Sequence, residues 1–577
     1  MTQKASMKGM WSRFIHMLVK SKLPYLWMAA AFLFNIAKSN IELIIPLNIA
    51  KVLGNELSVT LLLTIFGLGL LNAALTLASE VFKNIALQKI DRNMQRMSIK
   101  KLLWLKLKDI EKNDPREFVS RITTDTTLVS SLLLDLVISE IPRLYFMISS
   151  LIILFRDYNH RLALALLVTI PVTILGSWIT GRLTFGKAEA VQSKIARLTA
   201  RLAEKVNNVQ IIKSYNNEDK ETERGQEVIA ELDKAKRGAA VMIRVKDFVN
   251  ELVNLIPVVF VVVIGAIYLL QQIIDVPTFV VFYQYSGTFI GYVTAHLALW
   301  VAVKNAQGAT FRLASILELE DESETREDAI PVGDIEFKNV TFSYGDKKVL
   351  DDVSFTISKG QKTALVGYSG SGKSTVLNLI EAFYRPDSGE ISLNGVNIHT
   401  YDPQNYRSLF TYVPQNAPGF SGSVRELLTY GYTEQISDEV LRDVLQRADV
   451  LETVDLLGGF DYDVGVNASK LSGGQKQKLS IARALLSDTE YMLLDEATSA
   501  LDVNATMKLQ QELDQKTHGK TQILVAHNIS TIMNADKILV FSDGRIVAEG
   551  TYDVLLKEST LFRELVNSIR GGNENEK

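Results

Sequence analysis

Four stretches of this chain run without a charged residue for long enough to cross a bilayer: Leu57 to Ser79, Leu162 to Gly181, Leu252 to Ile274 and Val276 to Val303. About 20 helical residues cover a hydrocarbon core about 30 Å thick, and a soluble core helix seldom runs so long without a charge. The segments between these runs are rich in Lys and Arg, which marks the cytoplasmic side of a membrane protein. Lys83, Lys89, Arg92 and Arg96 lead one such segment, and Arg182, Lys187, Lys194 and Arg197 another. Two inside segments are separated by an even number of crossings, so one clean run between them is not enough. Thr127 to Phe155 supplies the second span, although Asp135, Glu140 and Arg143 interrupt its first half. By the same parity Pro24 to Val52, with Lys38 and Glu42 inside it, partners the Leu57 run behind the basic N-terminus.

The expectation is an all-α N-terminal membrane domain, 1–316, with spans near 24–52, 57–79, 127–155, 162–181, 252–274 and 276–303. Both termini then lie in the cytoplasm, and the lipid bilayer is a partner. The N-terminal apolar part is a full span without a small-residue cleavage pattern, so it does not read as a cleavable signal. The outward loops are short, and that around Gln271 to Asp275 has no basic residue. The inward segments 80–126 and 182–251 are too long and too charged for simple connectors.

Net charge confirms two differently built halves. The formal charge is −3 from 62 basic and 65 acidic residues. Met1 to Arg312 carries 37 Lys and Arg against 24 Asp and Glu, whereas Leu313 to Lys577 carries 25 against 41. The basic half suits a membrane surface and the acidic half a soluble domain. With no cysteine, the chain has no disulfide scaffold, thiolate zinc site or cysteine nucleophile.

After the acidic stretch Leu317 to Asp328, Pro331 stops any continuing helix, which makes 317–334 a linker. From Ile335 short β-branched and aromatic runs alternate with helical patterns, as in an α/β domain, 335–577, with a substantially parallel sheet. GYSGSGKST, Gly367 to Thr375, follows the apolar run TALV and precedes VLNLIEAFY. This is a phosphate loop in its strand-to-helix setting. Gly370 and Gly372 permit a tight backbone whose N–H groups, with those of Ser369 and Ser371, surround polyanionic phosphate. Lys373 reaches the β and γ phosphates, and Ser374 can hold Mg²⁺. EYMLLDEATSALD, Glu490 to Asp502, is an apolar strand ending in two carboxylates. Asp495 suits a metal, and Glu496 on the opposite face suits the attacking water. LSGGQ, Leu471 to Gln475, opens the helical KQKLSIARALL and is a second anion site, although one nucleotide is enough for one chain.

These three motifs together resemble the nucleotide-binding domain of ATP-binding cassette transporters, and the whole chain resembles an exporter-type half-transporter. The resemblance implies ATP and Mg²⁺ as cofactors and a head-to-tail dimer, here most simply a homodimer. Each ATP then lies between the phosphate loop of one chain and Ser472, Gly473, Gly474 and Gln475 of the other. It also implies that Tyr344 in VTFSYG stacks on adenine, that Gln415 in YVPQ contacts Mg²⁺, and that His527 in LVAHN contacts the γ-phosphate beside the catalytic Glu496. Asp502 closes the same motif as Glu496. Glu117 to Thr126 and Asn208 to Glu221 resemble the family segments next to the two intracellular coupling turns. The chain departs from the family pattern at Val466 and Asn467, where glutamate and arginine are common, and at Asn528, where arginine is common.

Expected cargo is an amphipathic small molecule, drug, lipid or peptide moved outward by alternating access. Tyr285, Phe289, Tyr292, His296 and Trp300 share one face of the last span, either as a cavity lining or as helix packing with an interfacial aromatic. Lys38 and Glu42, one turn apart, pair with each other or meet cargo. An exporter-fold importer of the siderophore type and a peptide-specific or self-immunity exporter are the alternatives. A channel or regulatory relative is expected to have lost a catalytic residue, and none is missing. The spans exclude a soluble ATPase of DNA repair or translation, and nucleic acid is not an expected partner.

Overall fold

A computed structural model describes residues 9–54, 58–322, 330–497, 503–516, 518–526 and 528–574. It divides into two compact units, one of residues 1–103 and 114–319, the other of 104–113 and 320–577.

The first unit is helical. Its long helices are Tyr25–Leu53, Val59–Leu103, His160–Asn207, Glu218–Leu270 and Val276–Leu317, with a composite helix over 115–158. Four helical segments among the described residues, Tyr25–Leu53, Val59–Leu103, Glu117–Tyr158 and Val276–Leu317, are long and apolar enough to cross a membrane. His160–Gly176 and Leu255–Leu270 are the shorter apolar parts of the other two. Helices continue well beyond the apolar runs, because the charged segments that follow keep helical composition and no proline falls between 59 and 103. The turns that precede His160 and Val276 are capped locally: Asn159 accepts from Arg161 N at 3.0 Å and Asp275 from Thr278 N at 3.0 Å. Phe66, Leu70 and Leu77 lie on the outer surface, as lipid-facing side chains do.

The composite helix contains three π-helical turns, Arg121–Asp125, Asp135–Glu140 and Leu154–Tyr158. Such turns shift the faces on either side. Asp125 and Glu140, each ending one of them, are almost wholly buried.

The second unit holds two sheets. β1 (Ile335–Tyr344), β2 (Lys347–Ile357), β4 (Ser388–Leu393) and β5 (Val396–Asn397) form an antiparallel sheet in the order β2-β1-β4-β5. β3 (Lys362–Gly367), β6 (Phe410–Val413), β7 (Tyr491–Asp495), β8 (Thr521–Val525), β9 (Lys537–Ser542) and β10 (Arg545–Gly550) form the other, in the order β10-β9-β3-β8-β7-β6. All its pairings are parallel except the β9-β10 hairpin. β7 and β8 are buried along their full length, which is why they read as continuous apolar runs. The register sets Leu365 and Asp495 level with Val525, so the carboxyl ends of β3, β7 and β8 share one edge. Ligands of parallel sheets bind at such an edge.

Candidate active site

The loop after β3 turns back through Gly367, Gly370 and Gly372, with φ of 155°, 81° and 103°. A Cβ on Gly367 meets the Phe541 carbonyl oxygen at 2.3 Å, and one on Gly372 meets Leu350 at 2.7 Å. Only glycine fits either place. Tyr368, Ser369 and Gly370 are exposed at the tip, while Ser371 and Thr375 are buried at the base. The Ser371 Oγ is enclosed without a hydrogen-bond partner. Lys373 opens the helix Lys373–Ile380, and its Nζ folds back to donate to the carbonyls of Gly367 at 2.8 Å and Tyr368 at 2.9 Å. Burial holds this ammonium below the ordinary lysine range, opposed by the charges of Glu496 and Asp495. A phosphate placed in the loop favours the charged form.

Across the sheet edge Ser374 Oγ donates to Asp495 Oδ1 at 3.1 Å, and Gln415 Nε2 donates to Glu496 Oε2 at 2.6 Å. The buried carboxylate, the serine hydroxyl and the glutamine amide are hard oxygen donors of the kind Mg²⁺ takes. Glu496 sits in the left-handed region at φ 49°, uncommon for a side chain of this size. That backbone turns its carboxylate away from the β7 strand direction and toward Gln415. His527 and Asp502 lie outside the described residues.

Tyr344 ends β1 with its ring partly exposed, edge-on to Phe342 at 4.9 Å and to Tyr384 at 5.2 Å between centroids. Its hydroxyl accepts from Asn378 Nδ2 at 3.2 Å. Tyr384 was not singled out by the sequence, although it lies in the aromatic run after the phosphate loop.

Ser472 caps the helix Gly473–Leu486. Its Oγ accepts from Gln475 N at 3.2 Å, and its N–H donates to Gln475 Oε1 at 2.8 Å. Ser472 and Gly473 are exposed at the start of this helix, Gly474 half-buried behind them. The polar contacts of Ser472 and Gln475 thus close on their own turn, whereas those of Lys373 and Ser374 go to the phosphate loop and Asp495. Upstream, Asn467 and Ala468 are both left-handed, at φ 53° and 52°, and Val466 is exposed. Asparagine tolerates that conformation better than most residues, a local reason for Asn467.

In the helical unit, Tyr285 and Phe289 are fully buried among apolar neighbours, with Tyr285 Oη donating to Leu43 O at 2.7 Å. They serve packing. The next residues on that face are polar: Tyr292 Oη donates to Glu42 Oε2 at 2.5 Å, and Lys38 Nζ lies 3.6 Å from Glu42 Oε1. His296 Nδ1 is 2.8 Å from Glu140 Oε2, and Arg143 binds the other oxygen of Glu140. Trp300 is exposed. The sequence signalled Glu140 and Arg143 only as interruptions of a span.

A family model described as "ABC transporter" matches residues 350–499, and one described as "ABC transporter transmembrane region" matches residues 27–293. A "Multidrug resistance ABC transporter ATP-binding and permease protein" of Lactococcus lactis subsp. cremoris (strain MG1363) is 28% identical over 577 residues, covering 98% of this chain and 97% of its own. An "ATP-dependent lipid A-core flippase" of Haemophilus influenzae (strain 86-028NP) is 31% identical over 83% of this chain and 82% of its own. The solved structure titled "Structure of a bacterial Atm1-family ABC exporter with ATP bound" shares the fold, with a TM-score of 0.78 at 21% identity over 94% of this chain and 97% of that one. Membrane helices and cassette in one chain, together with these relatives, make this protein a member of the ABC transporter family, an ATP hydrolase coupled to transport.

Proposed function

We propose that this chain is an ATP-driven exporter of amphipathic molecules that works as a homodimer, with membrane domain 1–316, linker 317–334 and cassette 335–577. The observation that carries the reading is the convergence of Lys373, Ser374, Asp495, Gln415 and Glu496 at one edge of the parallel sheet. A cavity partner is supplied by Lys38, Glu42, Tyr292 and His296, which bring charge and aromatic surface together inside apolar helices. Charges within a span are by default functional. The relatives named above are described by multidrug resistance and as a lipid A-core flippase, which supports an amphipathic cargo.

In the proposed cycle ATP lies between the phosphate loop of one copy and the exposed Ser472–Gly473 helix start of the other. Glu496 polarises a water for in-line attack on the γ-phosphate, and Gln415 holds its carboxylate in place. Lys373, His527 and the partner's signature helix stabilise the charge that develops on the phosphoryl oxygens. Ser374 and Asp495 would hold Mg²⁺, which neutralises charge between the β and γ phosphates when bound. Adenine rests on Tyr344. Both termini and the cassette face the cytoplasm, in line with the basic inward segments.

The test is the profile of compounds that stimulate ATP hydrolysis by the protein in lipid. Lys38→Ala changes which compounds stimulate, while basal hydrolysis stays. An unaltered profile removes Lys38 and Glu42 from the cargo path, and inside-out vesicles that release an amphipathic dye on addition of ATP overturn the outward direction.

A further inference from the structure

The short segment Trp104–Asn113 belongs with the cassette unit, although it joins two membrane-domain helices in sequence. Two of the connections that hold it there begin at the nucleotide site. On the adenine side, Tyr384 stands edge-on to Tyr344 and donates its hydroxyl to Glu111 Oε2 at 2.5 Å. On the phosphate side, the helix that starts at Lys373 ends at Ile380, and Ala382 follows in the left-handed region at φ 54°. The carbonyls exposed by that ending are taken by Arg407: its Nε donates to Glu381 O at 2.9 Å and its Nη2 reaches Ala382 O at 3.4 Å. A cation at a helix C-terminus also complements the helix dipole.

The same guanidinium grips Glu322 through two bonds, Nη1 to Oε2 at 2.9 Å and Nη2 to Oε1 at 2.5 Å, and lies over the Phe383 ring at 4.7 Å. Glu322 in turn donates its backbone N–H to Trp104 O at 2.8 Å, beside the bridge between Leu105 and Asp321 and the Lys106–Glu320 pair at 2.6 Å. Arg and Glu are each about one-quarter exposed, so the pair is only partly screened. A bidentate fork fixes orientation as well as distance, which a single point charge does not.

We propose that Arg407 is a positioning residue that makes the Trp104–Asn113 turn follow the phosphate-loop helix. Its guanidinium holds the end of that helix and the Glu322 carboxylate at once. When ATP draws on the loop, the helix end, the guanidinium, Glu322 and Trp104 move as one body. The inference rests on the ATP site described above and adds to it the route by which this chain's own turn senses the loop.

The chain has no cysteine, so one introduced at the exposed Lys112 is labelled uniquely. The full-length Lys112→Cys protein in lipid carries an environment-sensitive fluorophore there, and a non-hydrolysable ATP analogue is titrated. In the parent the analogue shifts the emission. Arg407→Ala and Glu322→Gln each bind the analogue but lose the shift, and the double variant loses no more than either alone. Such a cycle isolates the pair from general destabilisation. A shift that persists in either single variant, or a double variant whose loss is the sum of two independent partial losses, overturns the proposal. A parent that fails to bind the analogue contradicts the ATP site and not the clamp.

Discussion

Gln415 Nε2 donates to Glu496 Oε2 at 2.6 Å because their strands are in register: Val413 pairs with Leu494, and each functional residue comes two positions later. The Glu496 carboxylate is thus held by a residue just beyond the end of the adjacent parallel strand, in a left-handed backbone that extended sequence alone does not favour.

Glu496→Gln keeps the shape and the strand end but removes the charge that polarises water. ATP binding is retained, and kcat falls by about 10²- to 10⁴-fold, the usual range for loss of a general base. Steady-state hydrolysis and nucleotide binding on the same preparation check this; normal turnover sinks the assignment. Gln415→Ala removes that hydrogen bond and lowers kcat by less.

Gly367→Ala forces a methyl group against the Phe541 carbonyl, a backbone atom that cannot swing away. A loss of about 1–3 kcal/mol in stability is expected, together with weaker ATP binding. A thermal melt with and without ATP reads both effects, and an unchanged midpoint contradicts the packing described.

Two buried groups of the cassette unit titrate in opposite senses. Burial raises Glu381 from 4.5 to about 7, against the pull of Arg407. Burial, with the charges of Arg385 and Arg407, lowers His399 from 6.5 to about 4. Between about pH 4.5 and 7 folded Glu381 keeps a proton that the unfolded chain has released, so its contribution is present at low pH and lost as pH rises. Between about pH 4 and 6.5 folded His399 lacks a proton that the unfolded chain holds, so its contribution grows with pH. The two oppose each other where they overlap. Relative to the parent, Glu381→Gln makes stability rise more steeply with pH in this window, by up to about 1.4 kcal/mol per pH unit. His399→Gln makes it rise less steeply. Melting midpoints across pH 4.5–7 that run parallel in all three proteins contradict both shifts.

Arg312 clasps Asp125 through Nε at 2.8 Å and Nη2 at 2.5 Å, and Asp125 is buried at the end of a π-helical turn. Arg312→Ala leaves that carboxylate without its partner, at a cost of about 1–3 kcal/mol given that the arginine is half exposed. Arg312→Lys recovers charge but not the fork. Denaturation of the protein in detergent ranks the parent above lysine and lysine above alanine; equal stabilities refute the pairing.

The spans, the α/β cassette and the motifs at Gly367, Leu471 and Glu490 were legible because each is a local pattern: charge-free length, strand-to-helix spacing, small residues at a helix start. Lys38 and Glu42 were legible for the same reason, one helical turn apart. What local pattern does not carry is long-range partnership. Tyr292 and Glu42 are 250 residues apart, and Arg407 and Glu322 are 85 apart. The regular spacing of Tyr285, Phe289, Tyr292 and His296 showed a shared face but not that it changes from buried apolar packing to polar contacts along its length. The π-helical turns also left no composition signal, although they set where Asp125 and Glu140 point.

The central claim is that ATP is held between two copies of the chain, phosphate loop against signature helix. In the cysteine-free background, a protein carrying Ser369→Cys and Gly473→Cys is oxidised in lipid with and without ATP. The account predicts a covalent dimer that forms with ATP and is suppressed by Lys373→Ala. A parent protein that remains single in lipid while hydrolysing ATP at full rate, or a double-cysteine protein that binds ATP without crosslinking, contradicts it.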